Sequence, residues 1–242
     1  QARRSFDFGA LRLAYHSETH TPVDADLARR MRMWGPGRAD VTEDDDEDPV
    51  AIPDLWGVRY EAYLTQAGTI KHTGVAAVAI RQETQLLTSN HHTVRPPREL
   101  ALALALFLYS IKPPPAERAA DLAAAERGRS LFLEQCKSCH SNAAGGGDLV
   151  PAEEVETDPA LANGAARGTG RYRTAPLVRV ANAGPYFHDG SVATLEDVLS
   201  PARIQPSYAR SPLGPRPVTG HLYGTQLPQT DREALVAYLH TL

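Results

Sequence analysis

Residues Glu134–Asn142 read EQCKSCHSN, and the reading of this stretch decides the fold. Cys136 and Cys139 are the two cysteines of the chain, and His140 follows the second at once. A CxxC can be a redox disulfide, but that context requires strand patterns and a helix start at the motif, and neither is visible. Structural zinc takes four ligands, usually from two such pairs, and here there is one pair. CxxCH is the attachment motif of c-type haem: the two thiols add to the haem vinyl groups and the adjacent imidazole binds iron. One covalent haem c on Cys136 and Cys139, with His140 on the metal, is therefore expected.

The residues leading into the motif support this. Ala116 to Cys136, AERAADLAAAERGRSLFLEQC, is rich in strong helix formers. Pro113, Pro114 and Pro115 stop a preceding helix and set the start of this one. Leu131, Phe132, Gln135 and Cys136 share one face, which puts the thiol on a buried edge. Gly128 costs about 1 kcal/mol against Ala in a helix interior; it is either tolerated or the mark of a close helix crossing. A partner for such a crossing lies at the far end, where Leu235, Tyr238, Leu239 and Leu242 form one stripe and Thr230 and Glu233 fit a capping box. The spacing predicts a haem domain over 116–242, in which a helix ending in CxxCH is crossed by a last amphipathic helix. The expected fold class is mainly α, a cytochrome c-like haem domain with long ordered loops. An irregular, partly helical extension over 1–115, with helices near 75–88 and 97–112, is expected to pack on it rather than form its own domain.

Between the two helices the chain reads as loop. SNAAGGGDLVPAEEVETDPALANGAARGTGRYR carries the glycines of irregular structure, Thr194 is placed to cap a short helix over Leu195–Leu199, and Pro206–Gly224 is too rich in Pro and Gly to be regular. Thr174 to Leu199, TAPLVRVANAGPYFHDGSVATLEDVL, resembles the C-terminal haem domain of the bacterial di-haem cytochrome c peroxidase superfamily, most specifically in PYFHDGSVATLEDV downstream of CxxCH. PVTGHLYGTQLPQTDREALVAYLHTL is similar to the tail of its rubber-oxygenase-like branch. Looser likeness extends upstream through WGPGRADV, IPDLWGV and RPPRELALALALFLYSIKPP. That family carries two CxxCH motifs and this chain has one, so the domain of the first haem is expected to be missing.

Low-spin haem c takes Met or His as its second ligand. The two methionines, Met31 and Met33, precede the motif, which disfavours His/Met ligation. His188, His221 and His240 follow it. His221 stands after the Pro-rich loop, and the resemblance implies that it is the distal ligand. The resemblance also sets His188, in FHDG, near the haem edge as a hydrogen-bonding pocket group. His240 reads as a helix-end residue. Tyr186 and Phe187 read as pocket wall, Asp189 as a turn residue, and Arg173 and Arg179 as either propionate holders through bidentate bonds or solvated side chains.

The remaining sequence says less. Glu43 to Asp48 are six acids without EF-hand spacing, read as a solvated loop that could also dock a basic partner. His72, and the pair His91 and His92, read as loop residues, with ligation of a neighbouring chain's haem as the alternative. Net charge of −4 gives no basic footprint for nucleic acid, and no apolar run is long enough to span a bilayer. Attachment of haem c places the chain outside the bacterial cytoplasm, in or beyond the periplasm. Two His ligands would close the iron, favouring one-electron transfer with a redox partner protein or a neighbouring haem subunit. A peroxidase- or oxygenase-like enzyme with an open iron is the alternative, and a haem-based sensor or structural subunit a third.

Overall fold

In the computed structural model the described residues are 25–34, 37–40, 48–88, 97–116, 121–165 and 168–242. The acidic stretch over 43–47, and His91 and His92, lie outside them. Two helices organise the C-terminal half: α4 (Leu122–Gln135) and α8 (Gln229–Leu239). Asp121 starts α4, its carboxylate accepting from the Ala124 amide at 2.9 Å. The cap is thus an acid six residues after the last of the three prolines, not the prolines themselves. The helix ends at Cys136, whose amide still donates to the Phe132 carbonyl at 2.9 Å.

The two helices touch at Gly128. A Cβ there would lie 1.9 Å from the carbonyl oxygen of Ala234 and 2.9 Å from the Cβ of Tyr238, so only a residue without a side chain lets the backbones come this close. Beyond the crossing, Phe132, Val180, Leu195, Leu199, Leu235 and Leu239 form the buried core, with Cys136, Tyr238 and Leu242 packed on its margin. The stripe read from the sequence is this surface. The capping box is not formed: α8 begins after Pro228, which makes no side-chain cap, and Glu233 instead accepts from Gln229 at 2.9 Å. Asp231 on the first turn is held by Arg127 of α4, whose Nε donates to it at 2.6 Å.

The stretch between the helices contains more order than its composition suggests. β3 (Leu149–Pro151) pairs antiparallel with β4 (Arg171–Arg173), and between them run α5 (Ala152–Val155) and α6 (Ala160–Asn163). Tyr172 of β4 packs with Ala67, Ala152, Leu161 and Ala162 in a second core. α7 (Leu195–Val198) starts at Thr194, whose hydroxyl accepts from the Asp197 amide at 3.2 Å, as its sequence position indicates. Residues 206–224 form no helix or strand.

Upstream lie α1 (Ala25–Trp34) and the two-residue strands β1 (Arg38–Ala39) and β2 (Val50–Ala51), paired antiparallel. They are followed by α2 (Val75–Thr88) and α3 (Arg98–Ser110), close to the expected 75–88 and 97–112. Val78, Ala105 and Leu108 join α2 to α3. The Ala51 amide donates to the His188 carbonyl at 2.7 Å, and buried Glu61 pairs with Arg173 at 2.5 Å. Burial raises the Glu61 carboxyl to about 7, although the Arg173 charge pulls the other way. His72 uses both ring nitrogens inside this region, against the Glu61 carbonyl and the Tyr109 hydroxyl, so it is a structural bridge and not an iron ligand.

Candidate haem-binding site

The end of α4 delivers Cys136, Cys139 and His140 in one turn, with the His140 amide donating to the Cys136 carbonyl at 3.0 Å. Both thiols are free of disulfide and half-buried, and burial pushes the Cys136 thiol up to about 11. The next residues fold back to orient the histidine. Asn142 accepts from the amides of Ala144 and Gly146, both at 2.9 Å, while its own amide donates to the Gly146 carbonyl at 2.9 Å. This turn aims the Gly145 carbonyl at His140 Nδ1. With Nδ1–H donated there, the tautomer leaves Nε2 as a bare acceptor, the form in which an imidazole ligates a metal. The ring lies against Phe132, centroids 6.2 Å apart, and burial lowers its pKa, so it is neutral.

His221 faces the same space. Burial lowers its pKa to about 4, with smaller contributions in the same direction from His140 and Arg203. Its Nδ1 is buried without a hydrogen-bond partner from another residue. Phe187 and Tyr223 flank the ring at 5.8 and 5.5 Å. A buried, neutral imidazole with an orphaned nitrogen is costly unless something completes it. The chain thus brings the two histidines together from opposite ends of the domain. Met33 offers no competing ligand: it is exposed, and its sulfur accepts from Arg29.

The other sequence-derived site residues separate into two groups. Phe187 and Tyr186 line the interior; the Tyr186 hydroxyl donates to the Val180 carbonyl at 2.8 Å. Asp189 makes the turn, accepting from the Ser191 amide at 3.0 Å. His188 points to a different partner, stacking on Tyr172 at 4.5 Å, next to the second core. Burial lowers its pKa against the pull of Asp189 and Asp158. Arg179 donates to the Pro114 carbonyl at 2.5 Å, and Arg173 is engaged by Glu61 and Gln66. A cavity of about 350 Å³ opens beside the motif, lined by Gln135, Val155, Leu222, Tyr223 and Leu227.

Residues 125–242 match the cytochrome c family. This segment has the cytochrome c fold. Such a domain carries its haem covalently, and the residues present fit that group: two unbridged thiols, one imidazole with its outer nitrogen already bonded, and a second buried, neutral imidazole within electrostatic reach of the first. No curated protein matches the chain in sequence. Among solved structures it is similar in fold to a MauG-like protein associated with microbial copper homeostasis. That match has a TM-score of 0.55 and 18% identity, over 100% of this chain and 89% of that one. It is also similar to Kuenenia stuttgartiensis hydrazine synthase, with a TM-score of 0.52 and 17% identity, over 100% and 88% of the two chains. Among the described residues no helix is long and apolar enough to cross a membrane.

The largest feature that sequence reasoning missed is Arg203. It has no solvent exposure and lies against Phe187, its guanidinium 5.0 Å from the ring centroid. A single arginine in SPARIQP carries no periodic or motif signal that would have found it.

Proposed function

We propose that this chain is an electron-transfer cytochrome in which one haem c, bound through Cys136 and Cys139, is ligated by His140 and His221. The observation that carries the reading is the pair of buried, neutral imidazoles, one oriented by Gly145 and the other packed between Phe187 and Tyr223. When bound, the haem supplies a one-electron couple at iron. The protein's part is to hold both axial positions, exclude water with Phe132 and Phe187, and keep both rings in the uncharged form that binds metal. Filled axial sites favour electron transfer over oxygen activation. The single CxxCH motif supports one haem in this chain.

The likeness in fold to the MauG-like protein and to hydrazine synthase supports a place in a larger redox assembly, with a redox partner protein or a neighbouring haem subunit as electron donor or acceptor. The described residues before 116 act in this reading as an extension that wraps the haem domain over 116–242, through Ala51, Glu61 and Pro114. Tyr186 and Phe187 serve as pocket wall; His188, stacked on Tyr172, and Arg179, bonded to the Pro114 carbonyl, have partners of their own. Covalent haem attachment supports a place outside the cytoplasm, in the periplasm of a bacterium.

The test is the absorption spectrum of the haem-loaded protein, oxidised, reduced and reduced under carbon monoxide. Low-spin bands in both states, indifferent to carbon monoxide, are expected. His221→Ala is expected to produce a high-spin, carbon monoxide-binding haem. An unaltered spectrum in that variant would remove His221 from the iron, and an open wild-type iron would move the reading to oxygen chemistry.

A further inference from the structure

We infer that Arg203 is a positioning residue that sets the second axial ligand: its buried guanidinium gathers the backbone carbonyls on both sides of His221 and so holds the imidazole toward iron. The inference rests on His221 being that ligand.

Arg203 is presented by a short 3₁₀ turn, Pro201–Ile204, started by the Ser200 hydroxyl, which accepts from the Ala202 amide at 3.2 Å. Its Nε donates to the Val198 carbonyl at 3.0 Å. One terminal nitrogen donates to the Val218 carbonyl at 2.6 Å, and the other to those of Gly220 and His221, both at 2.8 Å. Four of the five guanidinium N–H groups thus meet backbone carbonyls, and the side chain has no contact with solvent. A buried charge left without hydrogen bonds is expensive, so the carbonyls are drawn in and kept there. The backbone returns the grip, since the Val218 amide donates to the Arg203 carbonyl at 2.6 Å.

The loop needs such a clamp. It has no helix or strand of its own, and His221 is at φ +47°, a left-handed conformation that side chains with a Cβ adopt only when their surroundings impose it. Gly220 before it is at φ +81°, where a Cβ would come within 2.5 Å of Thr157. On the far side the His221 amide donates to the Val155 carbonyl at 2.7 Å. Both peptide groups of His221 are therefore anchored on Arg203, and the first is anchored on α5 as well. The Phe187 ring lies between guanidinium and imidazole, 5.0 Å from the first and 5.8 Å from the second, so the same residue also fixes the wall of the ring's slot. Lysine could not substitute, because a compact charge with three donors cannot reach four separate carbonyls.

The experiment compares Arg203→Lys with wild type as the haem-loaded full chain, well below the unfolding temperature. Losing one charge-assisted bond of this kind shifts an on/off ligand equilibrium roughly tenfold or more. The carbon monoxide-bound fraction is expected to rise by that factor, with high-spin bands growing in the oxidised spectrum. Gly128→Ala, which disturbs the helix crossing instead, is expected to lower the unfolding temperature while keeping the low-spin, carbon monoxide-indifferent spectrum. If Arg203→Lys fails to fold, Gly220→Ala displaces the same carbonyls with Arg203 intact and is expected to open the iron likewise. An Arg203→Lys protein that melts earlier yet stays low-spin and indifferent to carbon monoxide would reduce Arg203 to a stability residue, as would an unchanged spectrum for a folded Gly220→Ala. His221→Ala separates the two failures: if it opens the iron and Arg203→Lys does not, the ligand assignment stands and the inference falls.

Discussion

Replacing Gly128 by Ala sets two known effects against each other. Alanine favours the helix by about 1 kcal/mol over glycine, so on an exposed turn the change would stabilise. Here the added Cβ would sit 1.9 Å from the Ala234 carbonyl oxygen, 2.6 Å from its carbon and 2.9 Å from the Tyr238 Cβ. Ordinary contact is roughly 1.5 Å further out, and the atoms it meets are backbone, which cannot swing aside as a side chain would. The helices must move apart, and the core of Phe132, Leu235 and Leu239 loosens with them. Overpacking of this kind costs about 1–3 kcal/mol and sits at the upper end when backbone is displaced. The net expectation is a loss of about 2 kcal/mol, seen as a fall of about 4–8 °C in the unfolding temperature. The assay is thermal unfolding of the haem-loaded protein by far-ultraviolet circular dichroism. Arg129→Ala, on an exposed face of the same helix, serves as the control and is expected to stay within about 0.5 kcal/mol of wild type. An unchanged or raised melting temperature for Gly128→Ala would mean that propensity wins and that the crossing is not as close as described.

Two further outcomes follow from the polar groups. Between the ordinary 4.5 and the raised value of about 7, the folded chain holds a proton on Glu61 that the unfolded chain has released. Stability therefore falls as pH rises through that window, by up to about 3 kcal/mol, and Glu61→Gln should flatten that part of a pH series of denaturant titrations; an equally steep slope in the variant would refute this. Asn142→Ala removes two bonds from the turn that aims Gly145 at His140 and should cost about 1 kcal/mol. It should also raise the reduction potential, because a less firmly bonded Nδ1–H makes the imidazole a weaker donor to ferric iron; a titration that gives the wild-type potential would contradict it.

The parts of the fold legible in the sequence are those whose determinants are local. CxxCH is contiguous, the stripe of α8 repeats at helical period, and Thr194 precedes the helix it caps by one residue. Gly128 was readable only as an ambiguity, since a helical glycine says that something is close without saying what. The capping box at Thr230 failed because Pro228 already sets the entry of α8 and Gln229 captures Glu233. β3 and β4 stayed hidden because three-residue strands leave no alternation to read, and their pairing spans two intervening helical turns. The fates of Arg173 and Arg203 were illegible for one shared reason. Their partners, Glu61 in the first case and the carbonyls of residues 218–221 in the second, are neighbours only after folding. His221 was found through likeness to a family, not through its spacing; nothing local marks it apart from the glycine before it.

The crossing of α4 with α8 also bears on timing. About ninety residues separate the two helices, and the second ends three residues before Leu242. Closing so long a loop is entropically demanding and leaves contact formation late. In a chain made or exported from its N-terminus, α4 has no partner for its Gly128 face until the last residues here have emerged. The thiols of Cys136 and Cys139 are accessible throughout that interval, which leaves a period for haem ligation by attachment machinery before the core closes over Phe132.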